Sequence, residues 1–466
     1  MSEHATPRFA RKTNLHDWLT YLESLHPKTI ALGLERATQV KQRLNLQPDF
    51  PIITVGGTNG KGSVCAMLES MLHAAGYRVG CYTSPHLLDY NERVRIAKKQ
   101  ASDAELCRSF EKIEQARKGQ QLDSRLYPQG VRRGCKAGKS ATTTQRGNDG
   151  YSEIPLTYFE FGTLAAIQCF IEHKVDVAIL EVGLGGRLDA VNVFDSDCAV
   201  VTNVDIDHTD YLGDTREKIA YEKAGIFRAG KLAICADADV PQAITAHTEE
   251  AGAQLWRIGR EFGFTSHPGQ WDYRSAVGAR NSLPYPALRG AFQLHNASAA
   301  LAALDALKEK LPVNMEAVRR GLVEVALPGR FQVAPGKPML ILDVAHNPHA
   351  ARSLAQNLAS LPPCPRTYAV FAMLRDKDMA SVARALKDQV DVWLVAGISA
   401  PRGASAADLA QVLHAEGAKG VILTFATATE ALQHACNEAS ENDRIAAFGS
   451  FYTVAEVMRA RGLRYV

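Results

Sequence analysis

Pro51-Ile-Ile-Thr-Val-Gly-Gly-Thr-Asn-Gly-Lys-Gly-Ser-Val64 is the stretch on which the reading of this chain turns. Residues 52–55 have the length and apolar character of a buried parallel strand, and residues 64–73 carry helical spacing. Between them runs Gly56-Gly-Thr-Asn-Gly-Lys-Gly-Ser63. A strand that empties through glycines into a helix start turns backbone N–H groups inward and adds the positive end of the helix. A lysine placed there reaches the outer phosphates of a nucleotide. The spacing departs from the strict G-x-x-x-x-G-K-[ST] form, because Val55 stands at the first glycine position and Gly62 separates Lys61 from Ser63. Tight packing alone would account for the glycines. Lysine and hydroxyl in register with them favour a phosphate site.

Working outward, the 466 residues are 46% hydrophobic and 22% charged, a globular composition too long for one core, so two domains are expected. A net charge of +3 argues for neither a nucleic acid nor a membrane partner. The nine cysteines contain no C-x-x-C pair, and Cys65, Cys169, Cys198 and Cys235 sit inside apolar stretches. That pattern reads as reduced core thiols in a cytoplasmic protein. Residues 1–14 are polar and basic, and no apolar run approaches membrane-spanning length. With no exposed apolar seam evident, a monomer is expected.

Several further stretches read as strands ending in polar residues. Residues 77–82 lead to Thr83-Ser-Pro-His-Leu87, 175–181 close on Glu181, and 198–204 lead to Asp205-Ile-Asp-His208. Open α/β sheets bind ligands at the carboxyl ends of their strands. An acidic residue at such an end, after a phosphate loop, is where nucleotide-hydrolysing enzymes hold Mg²⁺. Ser84, Glu181 and His208 therefore converge with Ser63 on a metal–phosphate site, although His208 alone reads equally as a structural histidine. Gly183-Leu-Gly-Gly-Arg-Leu-Asp189 lets backbone approach a ligand, and Lys223 stands in a mostly apolar helix end. An alanine-rich helix follows within 288–307 and contains Asn296.

Residues 118–153 are polar, basic (Arg132, Arg133, Lys136, Lys139, Arg146) and aperiodic, and read as a surface insertion. A Pro- and Gly-rich linker, 328–338, separates residues 1–327 from 339–466. Beyond it the strand–helix alternation restarts: 339–343, 367–372, 392–396 and 445–448 read as strands. The fold class is α/β: an N-terminal P-loop ATPase-like domain with a parallel sheet, and a smaller C-terminal Rossmann-like α/β domain.

The motifs Gly57-Thr-Asn-Gly-Lys-Gly-Ser63, Leu156-Thr-Tyr-Phe-Glu160, Glu181-Val-Gly-Leu-Gly-Gly-Arg-Leu-Asp189, Asp207-His-Thr-Asp210, Glu222-Lys-Ala-Gly225, Pro328-Gly-Arg330, Asp343-Val-Ala-His-Asn-Pro348 and Asp376-Lys-Asp378 occur in one order. This set resembles the folylpolyglutamate synthases of the Mur ligase superfamily, most of all the bacterial bifunctional dihydrofolate synthase/folylpolyglutamate synthase family. The resemblance leaves out only the 118–153 stretch. It implies an ATP-dependent ligase that adds L-glutamate to dihydropteroate and to tetrahydrofolates through an acyl phosphate, with two Mg²⁺ ions. It implies that Asn59, Gly60, Lys61, Gly62 and Ser63 hold the triphosphate, that Asn296 meets the adenosine end, and that Arg330 and Asp343 reach the nucleotide. Ser84, Glu181 and His208 would ligate Mg²⁺. Thr157, Tyr158, Phe159 and Glu160 with Leu188, Asp189 and Ala190 would line the dihydropteroate site, Lys223 would carry a carbamate, and His346 would stand near the glutamate amine. For Lys223 an ordinary salt bridge to Glu222 or Asp207 is the competing reading. Val191 stands where the family often has threonine. A monofunctional folylpolyglutamate synthase or another Mur-type amino-acid ligase would share the ATP machinery, whereas a GTPase switch would need an N-K-x-D motif that is absent.

Overall fold

Strand β1, Ile52–Gly56, is buried at every position and is hydrogen-bonded along both edges. The structure is a computed structural model describing residues 14–28, 30–119 and 152–464. Of the expected insertion, residues 120–151 lie outside the described residues, as do 1–13 of the polar N-terminus. Among the described residues β1 belongs to a sheet of eight strands, with β2 Val79–Tyr82, β3 Val94–Ile96, β4 Lys99–Gln100, β5 Val177–Glu181, β6 Cys198–Val201, β7 Leu232–Cys235 and β8 Gln254–Arg257. The order is β4-β3-β2-β5-β1-β6-β7-β8. From β2 to β8 all pairings are parallel, while β3 and β4 join antiparallel at one edge. The near-continuous apolar composition of β1, β5 and β6 is what a parallel sheet covered on both faces requires.

One face of this sheet is covered by the helices Lys61–Ala74, Gln293–Ala306 and Met315–Glu324. The middle helix is alanine-rich, and Gly321 of the last one allows a close crossing: a Cβ there would lie 2.5 Å from Met71 Cα. A three-stranded antiparallel sheet, β9 Phe262–His267, β10 Gln270–Ser275 and β11 Gly278–Leu283, packs its Trp271 and Tyr273 into the same core. This meander was not anticipated.

The third sheet has the order β12-β13-β17-β14-β15-β16, with β12 Gln332–Ala334, β13 Met339–Leu342, β14 Thr367–Phe371, β15 Val392–Ala396, β16 Val421–Phe425 and β17 Arg444–Phe448. Only β12 is antiparallel. Separate apolar cores lie on its two faces, so it is doubly wound, as expected for the C-terminal segment. The expected linker 328–338 is not free chain throughout. Its Gln332–Ala334 pairs with Leu340–Leu342 and closes the edge of this sheet.

By contacts the described residues form two compact units. One draws on Met1–Pro48 and Ser102–Glu172, the other on Asp49–Ala101 and His173–Val466, which holds all three sheets. The first unit is helical: Trp18, Phe110 and Phe161 meet with ring centroids 5.6–6.4 Å apart. Among the described residues no helix is long and apolar enough to cross a membrane.

Candidate active site

The glycines of the loop after β1 are required by what lies against them. Gly57 has φ +140°, and a Cβ there would fall 1.8 Å from Thr202 Oγ1. Gly60, at φ +85°, caps the helix Lys61–Ala74, and a Cβ there would fall 2.6 Å from Asn296 Oδ1. The tail of β6 braces the loop: Thr58 N–H donates to Asn203 O (2.9 Å), Asn59 N–H to Asn203 Oδ1 (2.8 Å), and Thr202 Oγ1 to Asn59 O (2.5 Å). Lys61 Nζ donates back to Gly57 O (3.0 Å) and Thr58 O (3.2 Å). Phosphate loop and Asn296 thus lie directly against one another.

Because β2, β5, β1 and β6 are consecutive and parallel, their carboxyl ends share one edge. Glu181, the last residue of β5, is buried, and its Oε1 lies 3.8 Å from where a Gly62 Cβ would stand. Its carboxylate accepts one hydrogen bond, from Ser84 N–H at 3.0 Å, and has no ion pair among the described residues. Burial raises its pKa, opposed by the positive charge of Lys61, the Ser84 N–H and the charges of Arg330 and Arg95. An acidic oxygen buried with so few donors is an incomplete electrostatic unit, and a divalent cation is a fitting complement. His208, at the left-handed N-cap of Thr209–Leu212, is brought down to about 4 mainly by burial, so its imidazole is neutral at pH 7, the form that ligates metal. Among the described residues no group of three or more His, Cys, Asp or Glu is arranged to hold a metal ion, so a cation here would also need oxygens from a serine and from a bound ligand.

Lys223 is buried near the end of Arg216–Ala224. It makes no hydrogen bond or ion pair among the described residues. The salt-bridge alternatives are taken elsewhere: Glu222 pairs with Arg187 at 2.8 Å, and Asp207 with Lys377 at 2.9 Å. Burial and the charge of Lys61 bring its amine down to about 7.

The third sheet contributes to the same edge. Asp343, just past β13, is buried; its Oδ2 accepts Phe331 N–H and its Oδ1 accepts Ala345 N–H, each at 2.8 Å. Arg330 lies over the Phe451 ring, 5.2 Å from its centroid. His346 Nδ1 bonds Val344 O at 2.7 Å, which assigns the proton to Nδ1 and leaves Nε2 as an acceptor; burial and Lys377 bring this histidine down to about 4. Asn347 Nδ2 donates to Asn59 Oδ1 (3.1 Å) and Asp207 Oδ2 (3.2 Å), while its Oδ1 caps Ala350 N–H (2.9 Å).

The residues expected at the pterin acceptor belong to both units. In the first, Thr157 and Glu160 form a reciprocal cap at the start of Tyr158–Glu172, with Thr157 N–H to Glu160 Oε2 at 2.7 Å and Glu160 N–H to Thr157 Oγ1 at 3.2 Å. Arg36 holds the same carboxylate at 2.9 Å. In the second, Asp189 is buried and its oxygens accept Leu184 N–H (2.8 Å) and Val191 N–H (3.0 Å). Burial raises Asp189 to about 7. Ala190 and Val191 are buried in the short helix Ala190–Val193, and Leu188 is half-buried.

Family models described as Mur ligase middle domain and Mur ligase, glutamate ligase domain match residues 136–304 and 329–451. The chain is 42% identical to the Dihydrofolate synthase/folylpolyglutamate synthase of Escherichia coli (strain K12) over 454 residues, 97% of this chain and 96% of that one. The chain belongs to the dihydrofolate synthase/folylpolyglutamate synthase family of Mur ligases. A structure of E. coli FolC in complex with DHPP and ADP has the same fold, with TM-score 0.85, 42% identity and coverage of 97% and 98% of the two chains. A bifunctional folylpolyglutamate synthase/dihydrofolate synthase with Mn, AMPPNP and L-glutamate bound has TM-score 0.82 and 44% identity, covering 97% and 99%.

For a member of this family, three polar residues of this edge had no individual role in the sequence reading, although Asn347 and Lys377 lie inside two of the quoted motifs. Asn203 props the phosphate loop, Asn347 joins Asn59 to Asp207, and Lys377 pairs with Asp207. Asn347 could be read as a helix cap from Asn-Pro, which it is. Its second role rests on Asn59, 288 positions away.

Proposed function

We propose that the chain joins L-glutamate to dihydropteroate, and to the terminal glutamate of tetrahydrofolates, using ATP. A carboxylate acylates poorly, so its oxygen first takes the γ-phosphoryl of ATP, releasing ADP and leaving an acyl phosphate. The glutamate α-amine then attacks the acyl carbon, the bond to phosphate oxygen breaks, and the amine proton is released. The observation that carries this reading is the shared edge of phosphate loop and under-donated Glu181, with Lys223, unpartnered among the described residues, within reach of the Lys61 charge. Family membership supplies the reaction class.

In this reading Asn59, Gly60, Lys61, Gly62 and Ser63 bind the phosphates, Asn296 the adenosine end, and Arg330 and Asp343 the nucleotide from the other sheet. Donors already fixed before reaction stabilise developing charge without reorganising. Ser84, Glu181 and His208 would hold Mg²⁺, with two ions in all, and a metal there screens the phosphate charge. Lys223, neutral in half its population near pH 7, adds CO₂ through its lone pair and loses a proton, giving an anionic carbamate in place of a repelling cation. His346, neutral with Nε2 open, suits orienting the glutamate amine better than storing its proton, since so low a pKa makes it a weak base. Thr157, Tyr158, Phe159, Glu160, Leu188, Asp189 and Ala190 are assigned to the acceptor. The carboxylates of Glu160 and Asp189 are engaged within the chain, so they shape their segments. Division at 327 and 339, a monomeric state and a cytoplasmic location go with this reading; the eight described cysteines are all free.

Phosphate release from ATP and L-glutamate tests it, with dihydropteroate, tetrahydrofolate or a UDP-muramoyl acceptor supplied separately. Both pterins should stimulate release and the UDP-muramoyl compound should not. Release with tetrahydrofolate but never with dihydropteroate would reduce the chain to a monofunctional ligase. Release with neither pterin would overturn the reading.

A further inference from the structure

Beside Ser84 and the phosphate helix lies a buried arginine that the reaction as described leaves unused. Arg95, in β3, is buried together with Glu69. Its Nε reaches Glu69 Oε2 at 2.9 Å and its Nη2 reaches the same oxygen at 2.8 Å. Nη1 donates to Thr83 Oγ1 at 3.0 Å and to Glu92 O at 2.8 Å, and Nη2 to Cys81 Sγ at 3.2 Å.

The partners matter because of where they sit. Glu69 is eight residues past Lys61 on the helix Lys61–Ala74, so it fixes that helix near its middle. Thr83 directly precedes Ser84, whose N–H holds the Glu181 carboxylate. One planar guanidinium therefore ties the phosphate helix to the Ser84–Glu181 pair. A buried ion pair gives little net stability against apolar residues of like volume, so stability alone is a weak reason for it. Its rigid fork is well suited to fixing distances, which a lysine's flexible stem is not. The same charge also favours the ionised form of Glu181.

We propose that Arg95 is a positioning residue of the metal site: by gripping Glu69 and Thr83 together it sets Ser84 and the phosphate helix in register for the divalent ion. This rests on Ser84 and Glu181 being metal ligands, as argued above. Groups that orient metal ligands typically change affinity 10–100-fold when removed.

The test is Mn²⁺ binding to the ADP-loaded protein, followed by electron paramagnetic resonance, in wild type, Ser84→Ala, Thr83→Val, Glu69→Gln and Arg95→Lys. Thr83→Val keeps shape and removes only the hydroxyl that the arginine grips, so it reports even where Arg95→Lys fails to fold. Thr83→Val and Glu69→Gln should each weaken Mn²⁺ binding about 10-fold. Arg95→Lys, with the charge but not the fork, should weaken it as well, while the KM for tetrahydrofolate stays near wild type. If Ser84→Ala loses Mn²⁺ while Thr83→Val and Glu69→Gln bind it as wild type, Arg95 has no positioning role. Full affinity in Arg95→Lys would equally defeat the fork argument. If Ser84→Ala itself binds normally, the metal assignment fails first, and this inference with it.

Discussion

Glu160 and Glu181 are both buried glutamates that the sequence marks as site residues, and their surroundings differ completely. Glu160 accepts its own helix cap from Thr157 N–H and a forked grip from Arg36, so its charge is answered inside the chain. Among the described residues Glu181 accepts one peptide N–H, at 3.0 Å, and forms no ion pair. A carboxylate already neutralised is architecture. One left short of donors is ready for something that arrives later. Burial alone, which both share, does not separate these roles; the donor inventory does.

The comparison breaks most readily at Glu181. Glu181→Gln keeps the shape and removes the charge, and kcat should fall about 10²-fold or more, the range seen when one electrostatic element of an active site is lost. Lys61→Ala should behave alike. The melting temperature of Glu181→Gln should hold or rise, because an uncompensated buried charge is gone. Wild-type turnover in Glu181→Gln would mean that the ATP edge has been misplaced.

Glu160→Gln should do the reverse. Arg36 would lose its carboxylate, and urea unfolding should show a loss of about 3 kcal/mol, the low end for breaking a buried pair because Arg36 is partly exposed. Turnover of the folded fraction should stay within a few-fold. A large kcat loss at unchanged stability would place Glu160 in the chemistry and erase the contrast.

The smallest expected effect concerns pH. The Lys223 amine is brought down to about 7, so it becomes protonated as pH falls through 7 and can no longer take up CO₂. Turnover should therefore fall on the acid side of pH 7, and added bicarbonate should move that limb to lower pH. His208, neutral until about pH 4, does not contribute to it. A limb indifferent to bicarbonate would remove the carbamate from the mechanism.

What the sequence made legible was local. The phosphate loop announces itself because glycine, lysine and hydroxyl fall within eight residues, and β5 because a run of apolar residues ends in Glu181. The contrast between the two glutamates was not legible, since Arg36 and Glu160 are 124 positions apart and nothing in either neighbourhood predicts their meeting. The Asp207–Lys377 pair spans 170 positions and failed for the same reason. Two strands of the third sheet were not read from the sequence. β12 lies within a Pro- and Gly-rich run that reads as linker. β16, Val421-Ile-Leu-Thr-Phe425, is apolar enough to have been read as a strand and was missed; in the structure it is an edge strand with Val421 and Leu423 exposed. The β9–β11 meander has a register shift between Trp271 and Tyr273, which blurs strict alternation.

Lys61 spends its hydrogen bonds on Gly57 O and Thr58 O, the carbonyls of the very turn it follows. A cation tethered to its own loop in this way acts as a splint. The turn keeps its curvature without help from any guest, so the entropy of shaping it is met during folding and not at each catalytic cycle. If Lys61 meets the triphosphate as proposed, the ammonium has to leave at least one carbonyl, and anions too weakly charged to outcompete two peptide oxygens would gain little from it. On that reading, a preference for a polyphosphate over small anions would follow from the resting geometry of a single side chain.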